Sequence, residues 1–277
     1  MRGAEAAGVA TGGFKMRTKR GLILGVFSAK GGVGKTTTVA NLGAALSQRL
    51  KNRVIIVETN MTASNLGLHL GILDPPVVIQ DVVFGRLKVG DAITTTDYGL
   101  HIIPGSVAFT DEIGSIDLRG ILDELAKKYD IVILDSAPGF GLEVFAGMKA
   151  CDELLICCQP RVPAIAGTLQ TFRAADRLKI PVFGVVLNRV TGKRFEIPTS
   201  DIKRTLGWPT MAMVPEDDMV EESVTRGVPV VLHAPSSAVA IEYRKLAQAI
   251  LIHLKSRRRI APRRKRKARK RGRRRRR

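Results

Sequence analysis

Apolar runs alternate with stretches of helical periodicity along most of the chain. The first run, GLILGVFS at 21–28, is continuously apolar and ends in a glycine-rich turn, as is typical of a strand buried on both faces of a parallel sheet. Similar runs predict strands at 53–58, 131–135, 153–158, 181–188 and 211–214. The intervening stretches predict helices at 36–51, 112–128, 163–178, 198–206, 216–226 and 236–256.

This alternation of strands and helices predicts the fold class. In the first helix, one buried face is formed by Val39, Leu42, Leu46 and Leu50. Strand–helix–strand units build an α/β protein whose mostly parallel, doubly wound sheet is flanked by helices. Because no linker or internal repeat interrupts 21–254, this range is predicted to be one domain.

Charge divides the chain into two unequal parts. The net charge is +20, and 17 Lys and Arg residues lie among the 23 positions of 255–277. The remaining range, 1–254, carries 28 basic and 25 acidic residues and is nearly neutral. The range 255–277 is therefore predicted to be a disordered polybasic tail. Residues 1–20 are predicted to be a disordered leader, with Met16 as an alternative translation start.

The cysteines and histidines indicate which site classes to exclude. Three cysteines are too few for a disulfide framework and favour a reducing, cytoplasmic location. Cys157 and Cys158 end an apolar run and are predicted to be packing residues, because no C-x-x-C spacing indicates an iron–sulfur cluster. The four histidines share no ligand spacing. No apolar run reaches the roughly 18 residues that a membrane-spanning helix needs.

The stretch FSAKGGVGKTTT at 27–38 carries the candidate chemistry. It follows a predicted strand and opens a predicted helix, which is the setting that a phosphate-binding loop requires. Its glycines allow successive backbone N–H groups to point at phosphate oxygens, and the helix N-terminus adds a partial positive charge. Lys35 is predicted to reach the β- and γ-phosphates, and the Thr36 hydroxyl to ligate Mg²⁺. The sequence therefore predicts a nucleotide site.

A second lysine directly before the glycines indicates a more specific class. The motif K-G-G-V-G-K-T-T at 30–37 resembles the deviant phosphate-binding loop of the MinD/ParA family of ATPases, with Ala29 where the usual motif has glycine. The resemblance extends over about 21–254 and is strongest to archaeal MinD-like proteins. It implies a P-loop NTPase fold, ATP and Mg²⁺ as cofactors, and an ATP-dependent homodimer. Lys30 would then reach the nucleotide held by the other subunit.

Three further motifs resemble those of the same family. In ILDSAPG at 133–139, Asp135 would hold Mg²⁺ and Gly139 would sense the γ-phosphate. LNRVTG at 187–192 and VPED at 214–217 resemble segments that contact the adenine base. The nucleotide-binding residues that the resemblance implies are Lys30, Gly31, Gly32, Val33, Gly34, Lys35, Thr36, Thr37, Asn188, Arg189, Pro215 and Glu216. NLGLHLGI at 65–72 also matches, with an expected structural role.

The chain departs from the family pattern after its second predicted strand. Relatives usually read D-x-D there, whereas this chain has Glu58 and Asn60. Glu58 keeps a carboxylate near Mg²⁺ as a third implied ligand. Asn60 replaces the aspartate that orients the attacking water, and an amide can position water without acting as a base. The implied catalytic set is Lys30, Lys35, Asn60 and Asp135 with slow hydrolysis; the alternative is a nucleotide-gated scaffold with little hydrolysis.

The resemblance leaves two roles open, spatial positioning in cell division and partition of DNA or other cargo. The composition of the tail bears on which surface the protein would bind. Beyond Leu254 only Ile260 is bulky and apolar, so insertion into lipid is disfavoured and adsorption to an anionic surface is favoured. DNA is the favoured surface. The alternative is a membrane-associated, MinD-like regulator. The expected location is cytoplasmic, at the nucleoid or the inner face of the cell membrane, with an unidentified activating protein partner.

Overall fold

A sheet of eight strands lies at the centre of the computed structural model, which describes residues 20–107 and 117–260. The strands are β1 (Leu22–Phe27), β2 (Val54–Glu58), β3 (Thr94–Thr95), β4 (His101–Ile103), β5 (Ile131–Asp135), β6 (Glu153–Cys158), β7 (Val182–Val190) and β8 (Thr210–Pro215). Their order across the sheet is β3-β4-β2-β5-β1-β6-β7-β8. All neighbours are parallel except β3 and β4, which pair antiparallel.

Helices cover both faces of this sheet. Within the described ranges they are α1 (Lys35–Ser47), α2 (Ile79–Val83), α3 (Leu118–Lys128), α4 (Leu142–Ala150), α5 (Val162–Arg177), α6 (Thr199–Leu206), α7 (Asp218–Thr225), α8 (Val230–His233) and α9 (Ala238–Ile260). A single 3₁₀ turn covers Leu68–Leu70. None of the helices in the described ranges is long and apolar enough to cross a bilayer.

Strand β1 shows why the sheet needs helices on two sides. Successive side chains of a strand point to opposite faces. Leu24 and Val26 therefore join the core beneath α1, α8 and α9, whereas Ile23 and Phe27 join the core beneath α3, α4 and α5. All six residues of the strand are buried. The predicted doubly wound α/β fold is confirmed, because a strand of this composition is stable only with both of its faces covered.

The two adjacent cysteines follow the same alternation. Cys157 packs in the core that contains α1 and α9, and Cys158 packs in a smaller core that contains residues of α5 and α6. Burial raises the pKa of the Cys157 thiol to about 12 and that of the Cys158 thiol to about 11. Both thiols therefore stay protonated at neutral pH and fill space, as predicted.

Several short elements were not predicted. The parallel strand β4 has only three residues, too few for a period to be visible, and α2 and α4 were also missed. The helix predicted at 112–128 begins at Leu118, with the Asp117 side chain accepting the N–H of Gly120 at 3.2 Å. Positions 112–116 of that prediction lie outside the described residues.

Helix α9 corrects the predicted boundary of the tail. The helix continues to Ile260, so 255–260 is helical, although the sequence predicts disorder from residue 255 onwards. Arg257 Nη1 and His253 Nε2 both lie 2.8 Å from the carboxylate of Glu153, the first residue of β6. This contact holds the end of α9 against the body. The rest of the predicted tail and residues 1–19 of the predicted leader at 1–20 lie outside the described residues. Arg20, the last residue of that leader, is described and forms ion pairs with Asp123 and Asp152.

Candidate functional site

The phosphate-binding loop connects the carboxyl end of β1 to the start of α1. Gly32 and Gly34 have φ values of +71° and +89°, which are strained for residues with a side chain. At Gly34 a Cβ atom would lie 1.9 Å from Nδ2 of Asn188. This Asn188 nitrogen donates to the carbonyl of Val33 at 2.9 Å. Only glycine therefore permits the loop to approach β7 closely enough for this bond to form.

Lys35 is the charged centre of the loop. Its side chain is buried, and Nζ donates to Ser28 Oγ at 3.0 Å. Burial lowers the pKa of this ammonium group, an effect that the carboxylates of Asp135 and Glu58 oppose. Burial also raises the pKa of Asp135, which is 1% exposed. The three groups form a compact cluster in which each charge depends on the others.

A cavity of about 510 Å³ opens beside this cluster. It is lined by eleven of the residues that the sequence singles out, Gly31, Gly32, Gly34, Lys35, Thr36, Thr37, Asn60, Asn188, Arg189, Pro215 and Glu216. The others lie elsewhere. Asp135 and Glu58 are buried at the ends of β5 and β2, the Val33 side chain packs in the core, and Lys30 is exposed at the rim of the loop.

The side of the cavity opposite the phosphate loop is formed by the ends of β7 and β8. Arg189 has a φ of +53° and directs its guanidinium group across the opening. Nη1 lies 3.5 Å from the carbonyl of Gly32, Nε lies 3.8 Å from Glu216, and Nη2 lies 3.5 Å from Glu221. These pairs are solvent-exposed, so each contributes at most about 1 kcal/mol to stability. The side chain of Arg189 can therefore rearrange at small cost when the cavity is filled.

Glu58 is placed differently from its prediction as a metal ligand. The side chain is fully buried, and its two oxygens accept the backbone N–H groups of Asn60, Asn65 and Leu66 at 2.9, 3.0 and 3.0 Å. Its carboxylate therefore organises the 59–66 loop, and the glutamate's extra methylene gives it the reach to do so. Burial raises the pKa of this carboxyl, and the neighbouring Asp135 raises it further.

Asn60 leaves one polar atom without a partner. Nδ2 donates to the carbonyl of Ala63 at 2.7 Å, and the Asn60 carbonyl accepts from Ser64 Oγ at 2.8 Å. Oδ1 of Asn60 is buried and has no hydrogen-bond partner in the described part of the chain. An unpaired buried acceptor costs about 1–3 kcal/mol, and a bound water or ligand in the cavity would satisfy it.

Two residues that line the cavity near Thr36 were not predicted from the sequence. Asn65 and His69 line the cavity, although the stretch containing them was expected to be structural. Asn65 Oδ1 accepts from the Thr36 hydroxyl at 3.0 Å, and the Asn65 carbonyl lies 3.1 Å from Nδ1 of His69. No local pattern identifies these side chains, because only the turn back from β2 brings them to the loop.

The oxygen atoms at the phosphate end are suited to Mg²⁺. Oδ1 of Asp135 is fully buried and has no hydrogen-bond partner within the described residues, which is costly for a carboxylate. Burial raises the pKa of Asp135 and a hydrogen bond with the Thr36 side chain lowers it, so the Thr36 hydroxyl, which lines the cavity, lies next to this carboxylate. Carboxylate and hydroxyl oxygens are the ligands that hard divalent cations prefer. Thr36 and Asp135 are therefore the residues that fit this ion.

Comparison with known proteins agrees with this geometry. Residues 21–181 match the family described as AAA domain. A ParA family protein of Chlamydia muridarum is 31% identical over 84% of this chain and 98% of its own. The cell division ATPase MinD of Pyrococcus furiosus has 31% identity and a TM-score of 0.79, covering 84% of this chain and 99% of its own.

A further solved structure contains a nucleotide. The septum site-determining protein MinD of Pyrococcus horikoshii, complexed with Mg-ADP, has 29% identity and a TM-score of 0.78. The alignment covers 83% of this chain and 95% of that protein. Since relatives of 31% identity cover 84% of this chain, the chain belongs to the MinD/ParA family of P-loop ATPases.

Proposed function

We propose that this protein binds Mg·ATP in the cavity beside α1 and hydrolyses it slowly. The observation that carries the proposal is the buried Lys35 ammonium beside Asp135, whose Oδ1 has no partner in the described part of the chain. A buried cation and a buried, unpaired carboxylate oxygen are together expensive without a ligand. A polyphosphate and a divalent ion supply the missing partners.

The residues have separate roles in this reaction. Lys35 and the loop N–H groups hold the β- and γ-phosphates and stabilise the negative charge that develops during transfer. Asp135 and Thr36 hold Mg²⁺, which when bound neutralises phosphate charge and helps to fix the reacting geometry. Glu58 acts indirectly, because its carboxylate already fixes the loop that carries Asn60.

The base is held between the ends of β7 and β8. The amide nitrogen of Asn188 is bonded to the Val33 carbonyl, so its amide oxygen is the acceptor for the amino group of adenine. Pro215 and Glu216 form one wall of the cavity, and Arg189 lies across its opening. The MgADP-bound relative supports a nucleotide in this cavity.

We infer that Lys30 acts outside its own subunit. Its side chain is exposed on the loop that faces the opening, whereas Lys35 on the same loop is buried. A second subunit that meets this face would receive the ammonium group beside its own γ-phosphate. ATP would then drive dimerisation, because the added cation is useful only where phosphate charge is present.

The end of α9, from which the basic tail continues, contacts the body away from the phosphate loop. Arg257, near the end of α9, contacts Glu153 at the amino end of β6, whereas the phosphate loop lies at the carboxyl end of the neighbouring strand β1. Pairing through the nucleotide face would therefore leave both tails free. Two tails in one dimer bind an anionic polymer more tightly through effective concentration alone, which makes attachment to DNA depend on ATP. The protein would thus position cellular cargo at the nucleoid, released by a partner that stimulates hydrolysis.

Nucleotide binding is the first prediction. Titration calorimetry should show saturable ATP binding that requires Mg²⁺. Lys35→Ala should weaken it by about 10- to 100-fold, because hydrogen bonds to charged groups each contribute about 1.5–3 kcal/mol. Lys51→Ala, which removes an exposed lysine just beyond α1, should bind as the wild type does. Absence of binding in the wild type would refute the proposed function.

The second prediction concerns Lys30. Lys30→Ala should bind ATP as a monomer with wild-type affinity but should lose the ATP-dependent dimer seen by multi-angle light scattering. Lys51→Ala serves as the matched control for loss of an exposed positive charge. If ATP leaves the mass of the wild-type protein unchanged, pairing through the nucleotide face is wrong.

The third prediction concerns hydrolysis. Asn60→Asp should raise kcat by about tenfold at unchanged ATP affinity. This is less than the 10²- to 10⁴-fold of a well-placed general base. The expected gain in kcat is smaller because aspartate cannot donate to the Ala63 carbonyl as Asn60 does. A rate equal to or below that of the wild type would show that another group positions the water.

The fourth prediction concerns the tail. A 1–260 truncation keeps all of α9 and the Arg257–Glu153 contact while removing 13 of the Lys and Arg residues. The full-length protein should bind duplex DNA with a log–log salt slope of roughly −7 if eight phosphates are neutralised. The truncation should lose most of this affinity while retaining ATP binding.

The competing surface is tested in the same experiment. Anionic liposomes should not displace DNA from the full-length protein at physiological salt. If they do, an anionic membrane and not DNA is the surface that the tail binds. If the truncated protein binds DNA as tightly as the full-length chain, the tail is not the anchor.

A further inference from the structure

The helix that follows the Asp135 loop is bonded directly to the loop that carries Asn60. Glu143 lies in the first turn of α4, four residues beyond Gly139. Its Oε1 accepts a hydrogen bond from the N–H of Met61, and its Oε2 lies 3.5 Å from the Thr62 hydroxyl. The two segments that flank the phosphate end of the cavity are thus joined by one carboxylate.

Met61 is held on its other side as well. Its carbonyl accepts from Nε2 of Gln80 at 3.1 Å, and Oε1 of Gln80 accepts the N–H of Ser106 at 3.1 Å. The Met61 side chain is fully buried in the core beneath α3 and α4. Met61 is therefore held through its N–H, its carbonyl and its side chain, and within the described residues Glu143 supplies the hydrogen bonds from α4 to this segment.

This fastening determines where Asn60 points. With Met61 fixed and Nδ2 of Asn60 bonded to Ala63, Oδ1 of Asn60 is left as a buried acceptor that has no partner in the described residues, on a side chain that belongs to the cavity lining. We propose that Glu143 is a positioning residue for ATP hydrolysis: it holds the 60–62 segment against α4 so that Asn60 presents Oδ1 to the attacking water. This role rests on the proposed ATPase function.

The position of Glu143 also links the acceptor to the γ-phosphate end. The short segment from Gly139 to α4 continues the turn that follows Asp135, so Glu143 connects that turn to Met61. Glu143 also stabilises α4 by lying near its positive end. If Glu143 had a purely structural role, it would only stabilise α4. Only the positioning role predicts that loss of Glu143 changes the orientation of Asn60.

The test compares Glu143→Ala with Glu143→Gln. The alanine variant removes the acceptor for Met61, and we expect kcat to fall by about 10- to 100-fold, as for a misplaced catalytic contact, with an unchanged ATP dissociation constant. The glutamine variant keeps an amide oxygen in the place of Oε1 and should stay within a few-fold of wild type. Glu124→Ala, which removes an exposed carboxylate from α3, is the matched control.

A double-mutant cycle separates positioning from structure. In an Asn60→Ala background, Glu143→Ala should change kcat by less than about twofold, because the group through which Glu143 acts is already gone. Independent, multiplicative effects would overturn the proposal. So would a parallel loss of ATP affinity and of hydrogen-exchange protection along α4, which would make Glu143 a structural residue of that helix.

Hydrogen exchange supplies a readout that needs no ATP. Glu143→Ala should accelerate exchange in a peptide covering 59–66, and Glu143→Gln should restore most of the protection. If wild-type protein does not hydrolyse ATP, the proposed function fails, and the exchange measurement alone decides the contact: faster exchange in the alanine variant supports it, and unchanged exchange overturns it.

Discussion

Burial of the Lys35 ammonium is the constraint on which the surrounding structure depends. Placing a cation in the interior costs several kcal/mol unless opposite charge and hydrogen bonds compensate. Here the compensation comes from Asp135 at the end of β5 and Glu58 at the end of β2. The sheet order places β5 between β1 and β2, so the carboxyl ends of all three strands meet at one edge. The order of β2, β5 and β1 in the sheet thus brings Glu58, Asp135 and Lys35 together.

The loop after β2 inherits its position from this cluster. Glu58 has no route to solvent, and it satisfies its oxygens with the loop's own N–H groups. Glu143 adds a second attachment, from the opposite side of the loop. Asn60 lies between these two carboxylates. Its amide side chain adds no further negative charge to that surrounding.

The phosphate loop and the end of α9 contact the sheet at different positions along its strands. The phosphate loop lies at the carboxyl end of β1, and the contact of α9 with Glu153 lies at the amino end of β6. Glu153 pairs in register with Leu24, three residues before the end of β1, so this contact lies about 10 Å along the strands from the point where the phosphate loop begins.

The sequence by itself determined the elements whose signal is local. The buried strands β1 and β5, the glycine-rich loop and the positions of Lys35 and Asp135 follow from apolar runs and from a motif that only one backbone conformation satisfies. Strand β4 was not predictable, because three residues show no period and pairing with β2 stabilises them. Tertiary structure alone decided that Glu58 serves a loop, that Asn65 reaches Thr36, and that Glu143 binds Met61. Each of these contacts depends on how strands and loops are brought together at one edge of the sheet. A short stretch of sequence does not contain that information.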